Sequence, residues 1–165
     1  QNTPSNQVLI SLALVLTFFV MGPTIQDINT QVIQPLNRNE LTVDQALDRT
    51  AAPLKVFMLK QTRKKDLALF LRLSKTPPPQ TKADVPLTAL VPAFMISELK
   101  TAFEIGFMIF LPFLVVDMVV ASILLSMGMM MLPPVVISLP FKVLLFVMVD
   151  GWYLIVSSLV RGYTG

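Results

Sequence analysis

The sequence predicts an all-α, membrane-associated protein built from helical hairpins. Three observations carry this. The chain is 54% hydrophobic and only 14% charged, with a mean hydropathy of +0.70. A soluble domain averages about 45–50% apolar and about a quarter charged, so this composition is shifted towards a membrane or membrane-like setting. Apolar residues recur at helical spacing, and no stretch alternates with the two-residue period of a strand. The apolar stretches are punctuated by Gly, Pro and polar segments that divide the chain into three zones.

The first zone, residues 1–23, is an apolar helix. "VLISLALVLTFFVMGP" (Val8 to Pro23) carries no charge and closes on a Gly-Pro pair expected to break it. Its length falls short of the roughly 20 residues that cross a bilayer, which favours a buried core helix over a full span. The apolar run begins almost at the first residue, and position 1 is not Met. The chain therefore reads as the later part of a longer protein.

The second zone, residues 24–91, is polar and helical. In "LTVDQALDR", Thr42 and Gln45 have the spacing of a capping box, which starts a helix at Val43 and carries it to about Arg49. "APLKVFMLKQTRKKDLALFLRLSK" follows, with Pro53 in a first-turn position. Helical spacing shows at Leu54, Phe57 and Met58 and again at Leu67, Phe70 and Leu71. Its lysines and arginines form a solvated face. "TPPPQTKADVP" breaks the helix into a loop.

The third zone, residues 92–165, is an apolar helical hairpin with six charges from Pro92 to Val160: Glu98, Lys100, Glu104, Asp117, Lys142 and Asp150. One helix is expected from about Ala93 to Leu132, bent or broken at Pro112, and a second from about Pro140 to Val160. The Met- and Pro-rich stretch 127–134, "MGMMMLPP", makes the turn between them. Met is unbranched and polarisable and adapts to gaps that change shape. Such a tract is either ordinary core filling or a deformable seal.

Charges in apolar helices are costly and seek partners. Lys100 and Glu104 stand four residues apart and can pair within one helix. Lys142 and Asp150 are eight residues apart, too far for a direct bond. They therefore look to another helix or another subunit, and one hairpin is too little structure to enclose all six charges. Inter-subunit charge pairs among Glu98, Lys100, Glu104, Asp117, Lys142 and Asp150 are the favoured reading.

Composition also excludes function classes. His and Cys are both absent, which removes disulfides, His- or Cys-ligated metals and His-dependent nucleophile systems. No cofactor fingerprint such as GxGxxG occurs, and no basic stripe interleaved with aromatics suits a nucleic acid. No cofactor, metal or nucleic-acid partner is expected. Asp117 and Asp150 would permit a membrane-embedded aspartyl hydrolase, yet "VVDMVV" and "VMVDGWY" lack the GxGD pattern of that class. A Ser–Lys pair on Lys142 has no Ser singled out by spacing. A small secondary transporter would suit interrupted helices but should show an internal repeat, and none is found. The expectation is a protein that is not an enzyme.

At "PAFMISELKTAFEIGF" (Pro92 to Phe107) and "LPFKVLLFVMVDGW" (Leu139 to Trp152), joined by "MGMMMLPP", the chain closely resembles the FliP family. This is the flagellar branch of the type III export-gate proteins shared with virulence injectisomes. "NQVLISLALVLTFFVMGPTIQDIN" and "PLKVFMLKQTRKKDLALF" extend the similarity over essentially the whole chain. The resemblance implies a pore subunit in the bacterial inner membrane, within the flagellar basal body. Its copies form a homo-oligomeric ring, five in the family, with FliR and FliQ, and with FlhA and FlhB in the same export apparatus. Unfolded flagellar proteins pass through the ring. It also implies that Met127, Gly128, Met129, Met130 and Met131 form a gasket around the channel, with Pro133 and Pro134 fixing the turn. The positive-inside rule would put the basic middle zone in the cytoplasm; the resemblance puts it on the periplasmic side. The family is followed, because the rule is weak for longer loops with their own fold. The family also holds these hairpins largely in a protein complex and not in membrane lipid alone, which accounts for prolines and charges inside apolar helices.

Overall fold

The computed structural model describes residues 4–75 and 77–164. Among these, every regular element is helical. In chain order they are α1 (Asn6–Ile28), a π-helical turn (Asn29–Ile33), α2 (Gln34–Asn37), α3 (Val43–Gln61), α4 (Lys64–Leu73), a 3-10 turn (Lys82–Asp84), α5 (Leu87–Ser126), α6 (Pro134–Met148) and α7 (Gly151–Thr164). Two compact units divide the chain, one over residues 1–99 and the other over 100–163.

In the first unit, α1 does not stop at Gly22-Pro23. It continues through Pro23 and the π-helical turn to Asn37, a continuous helical stretch of 32 residues. Proline's fixed φ is itself helical. Its cost is one lost backbone hydrogen bond and a local clash, which a long helix carries across its neighbouring turns. The stretch is thus long and apolar enough to cross a membrane, and the expectation of a short buried helix is corrected. No residue of α1 is buried within the chain.

The capping box at Thr42 is formed: Gln45 N donates to Thr42 Oγ1, and Thr42 N donates to Gln45 Oε1. The helix it starts runs past Arg49 to Gln61, so Pro53 lies in the interior of α3 and not in a first turn. The expected single helix after Pro53 instead breaks at Thr62 and Arg63, both in extended conformation. Two groups make that break. The Thr62 hydroxyl donates to the Met58 carbonyl at 2.7 Å. The Arg63 N–H donates to Ser97 Oγ of α5 at 3.0 Å, and Ser97 Oγ donates to Asp66 Oδ2 at 2.7 Å. Ser97 is fully buried and Asp66 nearly so. Asp66 sits in the first turn of α4, where its charge meets the positive end of the helix dipole. In the same unit Val85, Ala89, Leu90 and Ala93 are buried, and Phe57 meets Phe94 edge-on at 6.1 Å.

The loop before α5 is closed by a second capping box. Thr81 N and Oγ1 donate to Asp84 Oδ2 at 3.0 and 2.7 Å, and Lys55 Nζ of α3 donates to the Ala83 carbonyl at 2.8 Å. The Thr81 hydroxyl, then its N–H, hold the Asp84 carboxyl below its ordinary pKa.

α5 starts six residues before the expected Ala93 and ends at Ser126, not Leu132; it passes through both Pro92 and Pro112 without interruption. Its 40 residues span about 60 Å, twice a bilayer's hydrocarbon core of about 30 Å. The expected helix from Pro140 to Val160 is replaced by two. α6 begins at Pro134 and contains Pro140, and α7 follows after a bend of 60°. Among the described residues, two helices are long and apolar enough to cross a membrane, or three spans if the bent pair counts as one.

Removing the Ser97 hydroxyl strands a buried carboxylate and the Arg63 N–H. Ser97→Ala is expected to destabilise the first unit by about 1–3 kcal/mol, read as a lower thermal midpoint in detergent; an unchanged midpoint would make the network dispensable. A carboxyl with a depressed pKa contributes stability that is fully present above its ordinary pKa and is lost as pH falls through the lowered value. Acid loosening of the 81–84 turn, followed by amide exchange, is therefore expected to be absent in Asp84→Asn.

Candidate functional site

In the second unit, the sequence-predicted turn and two of the predicted charges belong to one device. α5 ends in a Schellman closure: Met129 N donates to the Leu124 carbonyl and Gly128 N to the Leu125 carbonyl, both at 3.0 Å. Gly128 adopts φ +76°, a left-handed conformation that side chains resist. At the other side Pro133 caps α6 and Pro134 occupies its first position, where a missing N–H costs nothing. Two helix ends are fixed in this way, and the intervening methionines are left outside both. Met127, Met129, Met130 and Met131 are 61%, 40%, 80% and 96% exposed.

Below the loop, Asp117 of α5 meets Ser138 and Lys142 of α6. Lys142 Nζ lies 2.5 Å from Asp117 Oδ1, and the Ser138 hydroxyl donates to the same oxygen. Ser138 is fully buried, and the two charged side chains are mostly covered. Ser138 and Lys142 stand one turn apart on a single face of α6, so one carboxylate takes both. The register follows from the arms. Asp117 lies nine residues before Ser126 (126 − 117), and Lys142 eight after Pro134 (142 − 134). That is about 13 Å and about 12 Å of helix, so pairing the charges brings the two helix ends level and puts the loop at the tip. Alongside the pair runs a wholly apolar groove of about 480 Å³, lined from Val115 and Val116 to Ile123 and Leu124 of α5 and by Ile137 and Phe141 of α6.

A second corner closes the far end of α6. Asp150 adopts φ +53°, and its carbonyl accepts from Leu154 N at 3.1 Å. Gly151 is buried beneath the Phe146 ring, which a Cβ there would overlap. Phe146 in turn packs edge-on against Trp152 at 5.4 Å and near Phe113 of α5 at 6.3 Å.

The remaining predicted charges are placed apart from this cluster. Lys100 and Glu104 pair within α5 at 3.6 Å, both about half exposed. Glu98 is half-buried in the first unit. Asp150 is exposed and shares no hydrogen bond with Asp117. Of the two partners expected for Lys142, another helix or another subunit, the single chain supplies the first, Asp117 on the preceding helix. The carboxylate dyad of an aspartyl hydrolase is not assembled. Nor is a Ser–Lys nucleophile pair: the Ser138 hydroxyl donates to Asp117 and to the Val135 carbonyl, and the ammonium is held by Asp117. Ser138 is the residue that sequence reasoning passed over. Its signal was its position four residues before the only lysine of α6.

Apolar helices long enough to cross a membrane, joined by an exposed thioether loop, define an all-helical membrane protein. The FliP family model matches residues 1–159, and the chain belongs to the FliP family. It is 62% identical over 163 residues to the flagellar biosynthetic protein FliP of Bacillus subtilis, covering 99% of this chain and 74% of that protein. The FliP proteins of Caulobacter vibrioides and Aquifex aeolicus are 56% and 54% identical, over 99% and 97% of this chain. The chain spans 61% and 68% of those two relatives' own lengths.

Lys142→Ala leaves the Asp117 carboxylate with Ser138 as its remaining partner inside an apolar hairpin. A marked loss of folded, membrane-inserted protein is expected, measured as abundance in the membrane fraction. Exchanging the charges, Asp117→Lys with Lys142→Asp, is expected to recover part of it. Parental abundance of Lys142→Ala would show that the pair is not needed.

Proposed function

We propose that this chain is a pore-forming core subunit of the flagellar type III protein export gate, passing unfolded flagellar proteins across the bacterial inner membrane as the flagellum is assembled. The observation that carries the reading is the Met loop, held out at the tip of the hairpin with its thioethers exposed. A layer of flexible apolar side chains, repeated around a ring of copies, excludes ions from a narrow constriction. Three rotatable side-chain bonds let the same layer re-pack around an extended polypeptide. Membership of the FliP family supports the flagellar setting.

On this reading the ring holds five copies, as the family resemblance implies, with FliR and FliQ as neighbours and FlhA and FlhB in the same apparatus. The apolar faces of α1, α5 and α6, largely uncovered in one chain, are taken up by those neighbours and by membrane lipid. Asp150, exposed at its corner, is the carboxylate of the predicted set offered to a neighbouring copy, while Lys100–Glu104 and Asp117–Lys142 are satisfied at home. The subunit acts as a conduit and performs no bond chemistry. Peptide cleavage by the purified protein that depends on Asp117 or Asp150 would replace this reading with the hydrolase.

Met129→Ala, Met130→Ala and Met131→Ala combined remove most of the layer while Gly128 and Pro133-Pro134 keep the bend. The ring is expected to assemble yet to conduct small ions at rest, measured as conductance across a bilayer. An assembled triple variant that conducts no more than the parent would return the tract to ordinary packing. Ile at the same sites, stiff at χ1, is expected to seal but to slow export.

A further inference from the structure

Sulfur chemistry in this chain belongs to methionine alone, since Cys is absent. Of ten methionines, four stand within the five positions 127–131. The loop's two ends are fixed by backbone closure and by proline, so these side chains cannot retreat into a helix face. Met131 is 96% exposed and Met130 80%. Met21 and Met58 are half-buried. Met95, Met108 and Met118 of α5 and Met148 of α6 are 56%, 72%, 62% and 75% exposed in the single chain, less than Met130 and Met131, and lie on apolar helices that lipid or protein covers in a membrane.

We propose that Met127, Met129, Met130 and Met131 form an oxidative modification site for hydroperoxides, and that its oxidation opens the resting pore. The thioether sulfur attacks the terminal oxygen of the hydroperoxide and the O–O bond breaks. Sulfur gains the oxygen in a two-electron oxidation, and the peroxide leaves as an alcohol, or as water from hydrogen peroxide, its proton returned by solvent. The product is methionine sulfoxide, which is polar and chiral and disrupts methionine-rich apolar surfaces. Reduction by a dithiol through a methionine sulfoxide reductase returns the thioether, with a disulfide and water as the other products. A sulfoxide layer binds water where a thioether layer excludes it, so the constriction wets and conducts. The modification site follows from the loop's place outside both apolar helices and from thioether chemistry; its effect on conductance rests on the pore reading above.

The test uses the full chain in its assembled complex in membrane vesicles, treated with dilute hydrogen peroxide. Peptide mapping by mass spectrometry is expected to show one-oxygen additions at residues 127–131 severalfold faster than at Met108 or Met148, which are comparably exposed in the single chain but lie on apolar helices. Equal or slower addition in the loop overturns the site. Conductance is expected to rise with the same time course and to fall again on treatment with the reductase and a dithiol. Replacing all four residues with Leu, which peroxide does not oxidise, is expected to remove the response to peroxide relative to that variant's own untreated level. A loop that oxidises without raising conductance overturns the switch; if the Ala triple variant leaks, the pore reading stands without it. If neither leaks, both the switch and the pore reading fail, and the modification site alone is supported by the mass map.

Discussion

A lysine ammonium and an aspartate carboxylate in neighbouring apolar helices have one inexpensive arrangement, which is against each other. The α5–α6 hairpin is organised by that constraint. Asp117 and Lys142 stand almost equally far from the loop, so their pairing fixes the register of the two helices and levels their ends. Ser138 completes the carboxylate's coordination from the same face of α6. Everything displayed at the tip inherits its position from this contact. A slip of one residue on either helix would turn a charge towards lipid or protein with no partner.

The first unit applies the same economy to polar groups. Ser97 is buried and links the Arg63 backbone on one side to the Asp66 carboxylate on the other. One hydroxyl thereby starts α4, ends the run of α3 and attaches both to α5. Ala89 and Ala93 lie on the same stretch of α5 and are fully covered. Beyond this core, no residue of α1 is fully buried within its own chain, and most large apolar side chains of α5 and α6 remain exposed. Such surface cannot face water at this scale. The chain is a piece of a larger apolar packing, with lipid or other subunits supplying the rest.

Prolines marked where legibility failed. Pro23, Pro53, Pro92, Pro112 and Pro140 all lie inside helices, although read singly each signals a boundary. Their fixed φ is compatible with a helix, and the surrounding turns are apolar enough to hold it. Two of the interruptions, at Thr62–Arg63 and at Val149–Asp150, carry no proline. Each is made by partners distant in sequence or by a ring stacked on a glycine: Ser97 at the first, Phe146 over Gly151 at the second.

The sequence by itself determined the helical class, the capping box at Thr42, the Lys100–Glu104 pair and a turn in the Met- and Pro-rich stretch, though not that α5 ends at Ser126. These are local matters, set by periodicity, by spacing within a turn, and by Gly and Pro at a helix end. Family membership was legible too, in "PAFMISELKTAFEIGF" and "LPFKVLLFVMVDGW". Only the tertiary structure decided where helices truly stop and which carboxylate Lys142 takes. A charge's choice among Glu98, Glu104, Asp117 and Asp150 depends on the register of two helices, and the register depends on that choice. The two are settled together in three dimensions, when Asp117, Ser138 and Lys142 come within reach of one another.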